Sequence, residues 1–141
     1  MAAIASDTLK VKASMINLSK ALQFFEEKFS DYPFERAGYV MVPFSGGAME
    51  HATCITYPLF GVDGTLNYET LMAHELSHMW WGNMVTCESE SEMWLNEGWA
   101  SFCESLFLEL MYGKEAFYAD MNEKLLLVMR SAHIRDGGFL V

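Results

Sequence analysis

Two histidines four residues apart, His74 and His78, are the feature that most constrains this 141-residue chain. On a helix, residues four apart lie on one face, one turn from each other, so both imidazoles can bind a single metal ion. Glu75 lies about 100° round the helix from His74, so it flanks the metal without having to bind it. Glu97 follows on a second predicted helix and can supply a third ligand, which leaves one coordination position open for water. This pattern indicates the core of a zinc hydrolase.

The environment of Glu97 strengthens this interpretation. A His-Glu-x-x-His pattern alone is a moderate signal, because an exposed helix face can carry two histidines by chance. Glu97, however, lies among Trp94, Leu95, Trp99 and Phe102. An unpaired carboxylate buried among such side chains would be costly, and a metal supplies the cation that it needs. We therefore expect Glu97 to be buried and to bind metal.

Composition limits the class of protein further. Hydrophobic residues make up 52% of the chain, which is enough to bury the core of one domain. The net charge of −10 argues against nucleic acid or an anionic membrane as a partner and is compatible with amine-bearing ligands. Cys54, Cys87 and Cys103 show no C-x-x-C spacing, so we expect buried thiols rather than a disulfide framework. The apolar runs are too short to span a membrane, and the N-terminus lacks a signal-peptide pattern. The sequence therefore does not indicate the cellular compartment.

The hydrophobic spacing predicts an α+β fold, mostly helical with a few short strands. No repeat, low-complexity tract or linker indicates an internal domain boundary. The predicted helices cover about residues 15–29, 68–81, 92–112 and 114–131, and the predicted strands cover about residues 38–42 and 51–57.

Three short stretches carry a resemblance to a known family. Residues 71–83 (LMAHELSHMWWGN), followed by residues 94–98 (WLNEG), closely resemble the aminopeptidase N-like family of zinc metallopeptidases, a branch of the gluzincins. Upstream, residues 47–51 (GAMEH) resemble that family's G-x-M-E-N exopeptidase signature. The resemblance implies a thermolysin-like zincin catalytic core. It also implies that residues 1–141 are part of a metallopeptidase catalytic domain, without the family's N-terminal β-rich and C-terminal helical domains.

The resemblance implies roles for the residues of the metal centre. His74, His78 and Glu97 would bind one zinc ion, and Glu75 would be the general base that transfers a proton to the leaving amine. Two further residues of the helix predicted over 92–112, Glu104 and Asn96, could support these ligands through hydrogen bonds. The alternatives are a solvated carboxylate for Glu104 and an amide that only completes the helix start for Asn96.

The resemblance also implies a substrate-binding segment. Glu50 would bind the free α-ammonium of a peptide and so fix the scissile bond one residue away. Gly47, Ala48 and Met49 would lie along the substrate as an edge strand. One residue departs from the family pattern: His51 stands where the family usually has Asn. Its imidazole can still donate a hydrogen bond, and a purely structural role is the alternative.

A zinc-dependent aminopeptidase that removes N-terminal residues from peptides is therefore the expected function. In the resembled family a downstream tyrosine stabilises the oxyanion, and Tyr112 and Tyr118 are too close to Glu97 to match it. We therefore expect the isolated chain to be weakly active or inactive, to need the remaining domains of its parent protein, and to self-associate through exposed apolar surface. The alternatives are a gluzincin endopeptidase and a metal-binding module without turnover.

Overall fold

A computed structural model of the chain describes residues 7–131, which are mostly helical with two short strands, as predicted. In chain order, the regular elements of this part are α1 (Thr8–Ser14), α2 (Leu18–Lys28), β1 (Tyr39–Val42), β2 (Ile55–Pro58), α3 (Glu69–Ser77), α4 (Glu97–Tyr112) and α5 (Lys114–Arg130). Two 3-10 helices, Leu59–Val62 and Glu90–Leu95, precede α3 and α4. Within this part no helix is both long enough and apolar enough to cross a bilayer.

The chain divides into two compact units, one ending at Glu104 and the other beginning at Ser105 within α4. In the second unit, Ser105 Oγ donates a hydrogen bond to Asp120 Oδ2 at 2.5 Å. Lys124 Nζ donates to the same carboxylate oxygen at 2.7 Å and to Ser105 Oγ at 3.1 Å. This charged network fixes the second half of α4 against α5.

Aromatic packing forms the core of the first unit. Phe25 on α2 is fully buried and meets the indole of Trp80, just beyond α3, in an edge contact with ring centroids 6.0 Å apart. Trp80 Nε1 donates to the backbone oxygen of Ser30 at 3.1 Å, so this buried donor is satisfied. Ala73 and Leu76 on α3 are also fully buried. One face of α3 is therefore fixed by the core, and the histidines lie on another face.

The two strands form a parallel sheet that packs under α3. The hydroxyl group of Tyr39 on β1 donates a hydrogen bond to the Met72 carbonyl at 2.9 Å. The hydroxyl group of Tyr57 on β2 donates to the Tyr68 carbonyl at 3.0 Å. On the other edge of β2, Thr56 exchanges two 2.9 Å backbone hydrogen bonds with Met49. This pairing brings the segment before Glu50 alongside the sheet.

The helices end earlier or are more divided than predicted. The motif helix, predicted to reach Trp81, ends at Ser77, because the backbone N–H groups of Met79 and Trp80 donate to carbonyls three residues back rather than four, at 3.1 and 3.0 Å. The predicted 15–29 helix begins at Leu18 and follows a separate α1. The predicted 92–112 helix is a 3-10 segment that is kinked at Glu92, followed after Asn96 by α4.

The strand predicted from residue 51 begins only at Ile55. The residues before it form a turn in which the Cys54 N–H donates to the His51 carbonyl at 3.0 Å. The third residue of this turn, Thr53, has φ +68, a conformation that a β-branched residue rarely adopts. Alternating hydrophobicity does not reveal such a turn, because the residues that usually mark it, Gly and Asn, are missing.

Candidate metal centre

Each histidine of the motif has one ring nitrogen fixed by a hydrogen-bond acceptor. His74 Nδ1 lies 2.7 Å from Glu104 Oε1, and His78 Nδ1 lies 2.9 Å from the carbonyl oxygen of Trp81. A carboxylate and a carbonyl only accept hydrogen bonds, so each Nδ1 carries a proton. In a neutral imidazole this leaves Nε2 with its lone pair, which is the atom that binds a metal.

Glu97 brings a carboxylate oxygen to both of these Nε2 atoms. Its Oε2 lies 3.2 Å from His74 Nε2 and 3.7 Å from His78 Nε2. His78 follows α3 with helical dihedral angles, and Glu97 is the first residue of α4, so the ends of two helices build the group. The three ligand atoms lie within 4.8 Å of one another.

The chemistry of this donor set fits zinc. Two nitrogen lone pairs and an anionic oxygen repel one another at these distances unless a positive charge lies between them. Zinc takes imidazole nitrogen and carboxylate oxygen in a four-coordinate site. The expected burial of Glu97 is wrong, because 52% of its side chain is exposed. The convergence of three donors, and not the cost of burying a carboxylate, is therefore the argument for a metal.

The electrostatics of His74 point the same way. Burial alone would lower the pKa of His74, but the hydrogen bond and charge of Glu104, with the charges of Glu75 and Glu97, raise that pKa above its ordinary value. Three carboxylates thus draw positive charge to this imidazole. The same three negative charges would stabilise a divalent cation bound at Nε2.

Glu75 is a buried carboxyl group beside the three donors. It is 5% exposed, and among residues 7–131 its Oε2 has no hydrogen-bond partner. Burial raises the pKa of Glu75 to about 7; the charge of His74 opposes this shift, and those of Glu50, Glu97 and Glu104 add to it. A carboxyl group with a pKa near neutrality can both accept and return a proton.

Glu50 reaches the same centre from the loop before β2. Its carboxylate, that of Glu75 and a ring nitrogen of His78 offer atoms within 4.8 Å of one another. Gly47 has φ +111, which suits glycine, and Met49 is held in the pairing with β2. Of the remaining predicted residues of this segment, Ala48 is half-buried and His51 is exposed at the start of the turn.

Two asparagines support the ends of the helices. Asn96, which directly precedes Glu97, packs its amide on Gly82, where a Cβ atom would lie 2.3 Å from Asn96 Oδ1. Within the described residues Asn96 Oδ1 has no hydrogen-bond partner. Asn83 donates from Nδ2 to the backbone oxygen of Glu50 at 2.7 Å. We predicted no functional role for Asn83, although it is the last residue of the 71–83 stretch that carries the resemblance and directly follows Gly82.

Two histidines, a carboxylate between them and a buried carboxyl group beside them form an arrangement that fits the metal site of a metalloprotease. Residues 14–136 match the Peptidase family M1 domain, and the chain belongs to this family of zinc metallopeptidases. The resemblance to aminopeptidase N-like proteins is therefore confirmed.

Several aminopeptidases and solved metallopeptidases are similar to the chain. It is 38% identical over 109 residues to endoplasmic reticulum aminopeptidase 2 of Bos taurus, an alignment that covers 70% of this chain and 11% of that protein. It is 36% identical over 125 residues to aminopeptidase N of Oryctolagus cuniculus, an alignment that covers 79% of this chain and 12% of that protein. The chain thus spans about a tenth of the length of these relatives.

Among solved structures, the M1 zinc metallopeptidase from Deinococcus radiodurans is similar with a TM-score of 0.66 and 31% identity over 79% of this chain and 25% of that chain. A mutant two-domain M1 zinc metallopeptidase bound to L-arginine has a TM-score of 0.68 and 29% identity over 88% of this chain and 27% of that chain. Zinc is therefore the metal of the family members to which this fold is similar.

Proposed function

We propose that this chain is part of the catalytic domain of a zinc aminopeptidase, with a thermolysin-like zincin core. One zinc ion would be held by His74, His78 and Glu97. The observation that carries the proposal is the convergence of their three donor atoms within 4.8 Å of one another, with Glu75 buried alongside. When bound, zinc supplies a Lewis acid that polarises a carbonyl and makes water more acidic.

Glu75 is the proposed proton carrier. Its pKa of about 7 and its hydrogen-bond capacity at Oε2 suit a group that takes a proton from water and returns it to the leaving amine nitrogen. Glu104 and the Trp81 carbonyl hold the Nδ1 protons of the two histidines, so the Nε2 atoms stay available to the metal.

Glu50 is the proposed anchor for the free amino group of the substrate. A carboxylate near Glu75 and His78 pairs with an α-ammonium and leaves the first peptide bond at the metal. Gly47, Ala48 and Met49 would line the path of the peptide. The mutant structure bound to L-arginine, to which this chain is similar, supports a ligand with a free α-amine.

The isolated chain is proposed to bind zinc and to hydrolyse peptides weakly. Stabilising a developing oxyanion needs a free hydrogen-bond donor beside the metal. Tyr39 and Tyr57 pack below α3, but their hydroxyls donate to the carbonyls of Met72 and Tyr68. Neither hydroxyl is therefore available as an oxyanion donor. The remainder of the parent protein would supply one.

Zinc content and N-terminal specificity test this function together. We expect one zinc ion per chain by elemental analysis, and slow release of the first residue from a tripeptide with a free amine but not from its N-acetylated form. Glu75→Gln should retain zinc and abolish release. Equal cleavage of both peptides would favour an endopeptidase. Zinc binding with no release of the first residue at any protein concentration would favour a metal-binding module.

A further inference from the structure

A single asparagine joins the metal-binding helix to the loop that carries Glu50. The side-chain Nδ2 of Asn83 donates a hydrogen bond to the backbone oxygen of Glu50 at 2.7 Å. The backbone N–H of Asn83 donates to the carbonyl oxygen of His78 at 3.0 Å. Asn83 therefore contacts the backbone of a proposed metal ligand and the backbone of the proposed amine anchor.

The turn after α3 holds Asn83 in place. The backbone N–H groups of the two residues after it donate to the carbonyls of Met79 and Trp80 at 3.2 and 2.9 Å, which satisfies acceptors left at the helix end. Gly82, at φ +127, makes the reversal possible. The same turn supplies the Trp81 carbonyl that accepts from a motif histidine. A hydrogen-bonded turn, and not a free loop, thus presents the Asn83 side chain.

The hydrogen bond from Asn83 acts where Glu50 leaves the sheet. On the N-terminal side, Met49 exchanges two hydrogen bonds with Thr56. On the C-terminal side, the chain enters the turn that begins at His51. Because the asparagine holds the carbonyl of Glu50 itself, it controls where the Glu50 Cα, and hence the carboxylate, lies relative to α3.

We propose that Asn83 is a positioning residue that sets the distance between the amine-binding carboxylate of Glu50 and the metal-binding face of α3. The inference rests on the proposed function, because it takes Glu50 as the amine anchor. An α-amino acid has a fixed separation between its ammonium and its carbonyl group. A small shift of the Glu50 backbone therefore weakens binding of a free amine without removing any metal ligand.

Two substitutions separate positioning from other roles of the asparagine. Asn83→Leu removes the donor and places an apolar side chain of similar size near Met79 Sδ, which lies 3.9 Å from Asn83 Nδ2. Asn83→Asp keeps the shape but turns a carboxylate oxygen toward the Glu50 carbonyl. Added negative charge alone would strengthen ammonium binding, whereas misplacement of Glu50 weakens it. Asn122→Asp, at an exposed position on α5, adds the same charge away from the centre and is the matched control.

Calorimetric titration of the zinc-loaded chain gives the readout. The ligands are L-arginine and N-acetyl-L-arginine, which differ only in whether the α-amine is free. We expect the unsubstituted chain and Asn122→Asp to prefer the free amine, and both Asn83 variants to lose that preference by about tenfold or more. Zinc affinity, measured separately by competition with a chelating dye, should stay within about threefold of the unsubstituted value.

Each other outcome overturns the proposal. A preference that persists in both Asn83 variants would show that the hydrogen bond does not position Glu50, while the proposed function would stand. A parallel loss of zinc affinity in both variants would show that Asn83 only maintains the fold of the helix end. If the unsubstituted zinc-loaded chain itself shows no preference for the free amine, the Glu50 anchor fails and the inference fails with it.

Discussion

At the scale of single residues, the proposed metal centre depends on which ring nitrogen of each imidazole carries the proton. Glu104 and the Trp81 carbonyl accept from the Nδ1 atoms of His74 and His78, and both Nε2 atoms therefore face Glu97. The Glu104 contact follows from helical spacing after Glu97, so the sequence allowed it as a candidate. The Trp81 contact is made by a backbone atom; Gly82 and Asn83 mark a turn after it, but no residue pattern predicts that this carbonyl accepts from His78.

Removing the charge of Glu104 should weaken metal binding. We expect Glu104→Gln to reduce zinc affinity by about tenfold, because the neutral amide still accepts from His74 Nδ1 but no longer strengthens the imidazole as a ligand. Competition with a chelating dye measures the effect. Glu115→Gln, exposed at the start of α5, removes the same charge and should leave the affinity unchanged. Equal effects of the two substitutions would contradict this role.

Backbone strain at Thr53 gives a second prediction at this scale. Its φ of +68 costs a β-branched residue free energy that glycine does not lose. We expect Thr53→Gly to raise the free energy of unfolding by about 1 kcal/mol in urea titrations at a fixed zinc concentration. Thr86→Gly, at an exposed position without positive φ, should lower it through greater unfolded-state freedom. A loss of stability in both variants would refute the strain.

At the scale of elements, periodicity predicted the helices and strands but not where they end. The apolar pattern around the motif identifies α3, yet the helix ends where Met79 and Trp80 begin to donate to carbonyls three residues back. Glu97 was predicted to converge on the histidines, and its Oε2 does lie near both rings, but its exposure was not foreseen. As the first residue of α4, Glu97 reaches both imidazole rings while about half of its side chain faces water. Local sequence does not encode that arrangement.

The burial of Cys103 on α4 and the exposure of Cys54 before β2 predict a difference in cysteine reactivity. Cys103 on α4 is fully buried, and burial raises the pKa of its thiol to about 12, whereas Cys54 is exposed, contrary to the expectation that all three thiols are buried. Because the thiolate is the nucleophile, Cys103 should react with iodoacetamide at least about a hundredfold more slowly than Cys54. Peptide mass spectrometry after timed labelling measures both rates. Similar labelling rates of Cys103 and Cys54 in the folded chain would contradict the burial of Cys103. In denaturant, the difference between the two rates should disappear.

At the scale of the whole molecule, a net charge of −10 coexists with exposed apolar surface. Residues 125–129 on α5 (LLLVM) are between 49% and 65% exposed. Five consecutive helical residues point in all directions around the helix axis, so one core face cannot cover them. Exposed apolar side chains occur elsewhere too, including Leu9 and Ile16, but residues 125–129 form the longest continuous exposed apolar run among the described residues.

Self-association through this run is the expected consequence. We expect the sedimentation coefficient of the chain to rise with concentration, and the double substitution Leu127→Lys with Val128→Lys to reduce that rise. Glu123→Lys, exposed on the same helix, changes the net charge by the same amount and is the matched control. The prediction would be contradicted if the unsubstituted chain stayed monomeric at high concentration, or if Glu123→Lys reduced the concentration dependence as much as the double substitution.

The account depends most directly on where a zinc ion binds. A crystal of the zinc-loaded chain, with anomalous scattering recorded at the zinc edge, measures this. We predict one peak with His74 Nε2, His78 Nε2 and a Glu97 carboxylate oxygen at about 2.0–2.2 Å from it. A peak elsewhere, or a Glu97 carboxylate turned away from a metal that binds the two histidines, would contradict it.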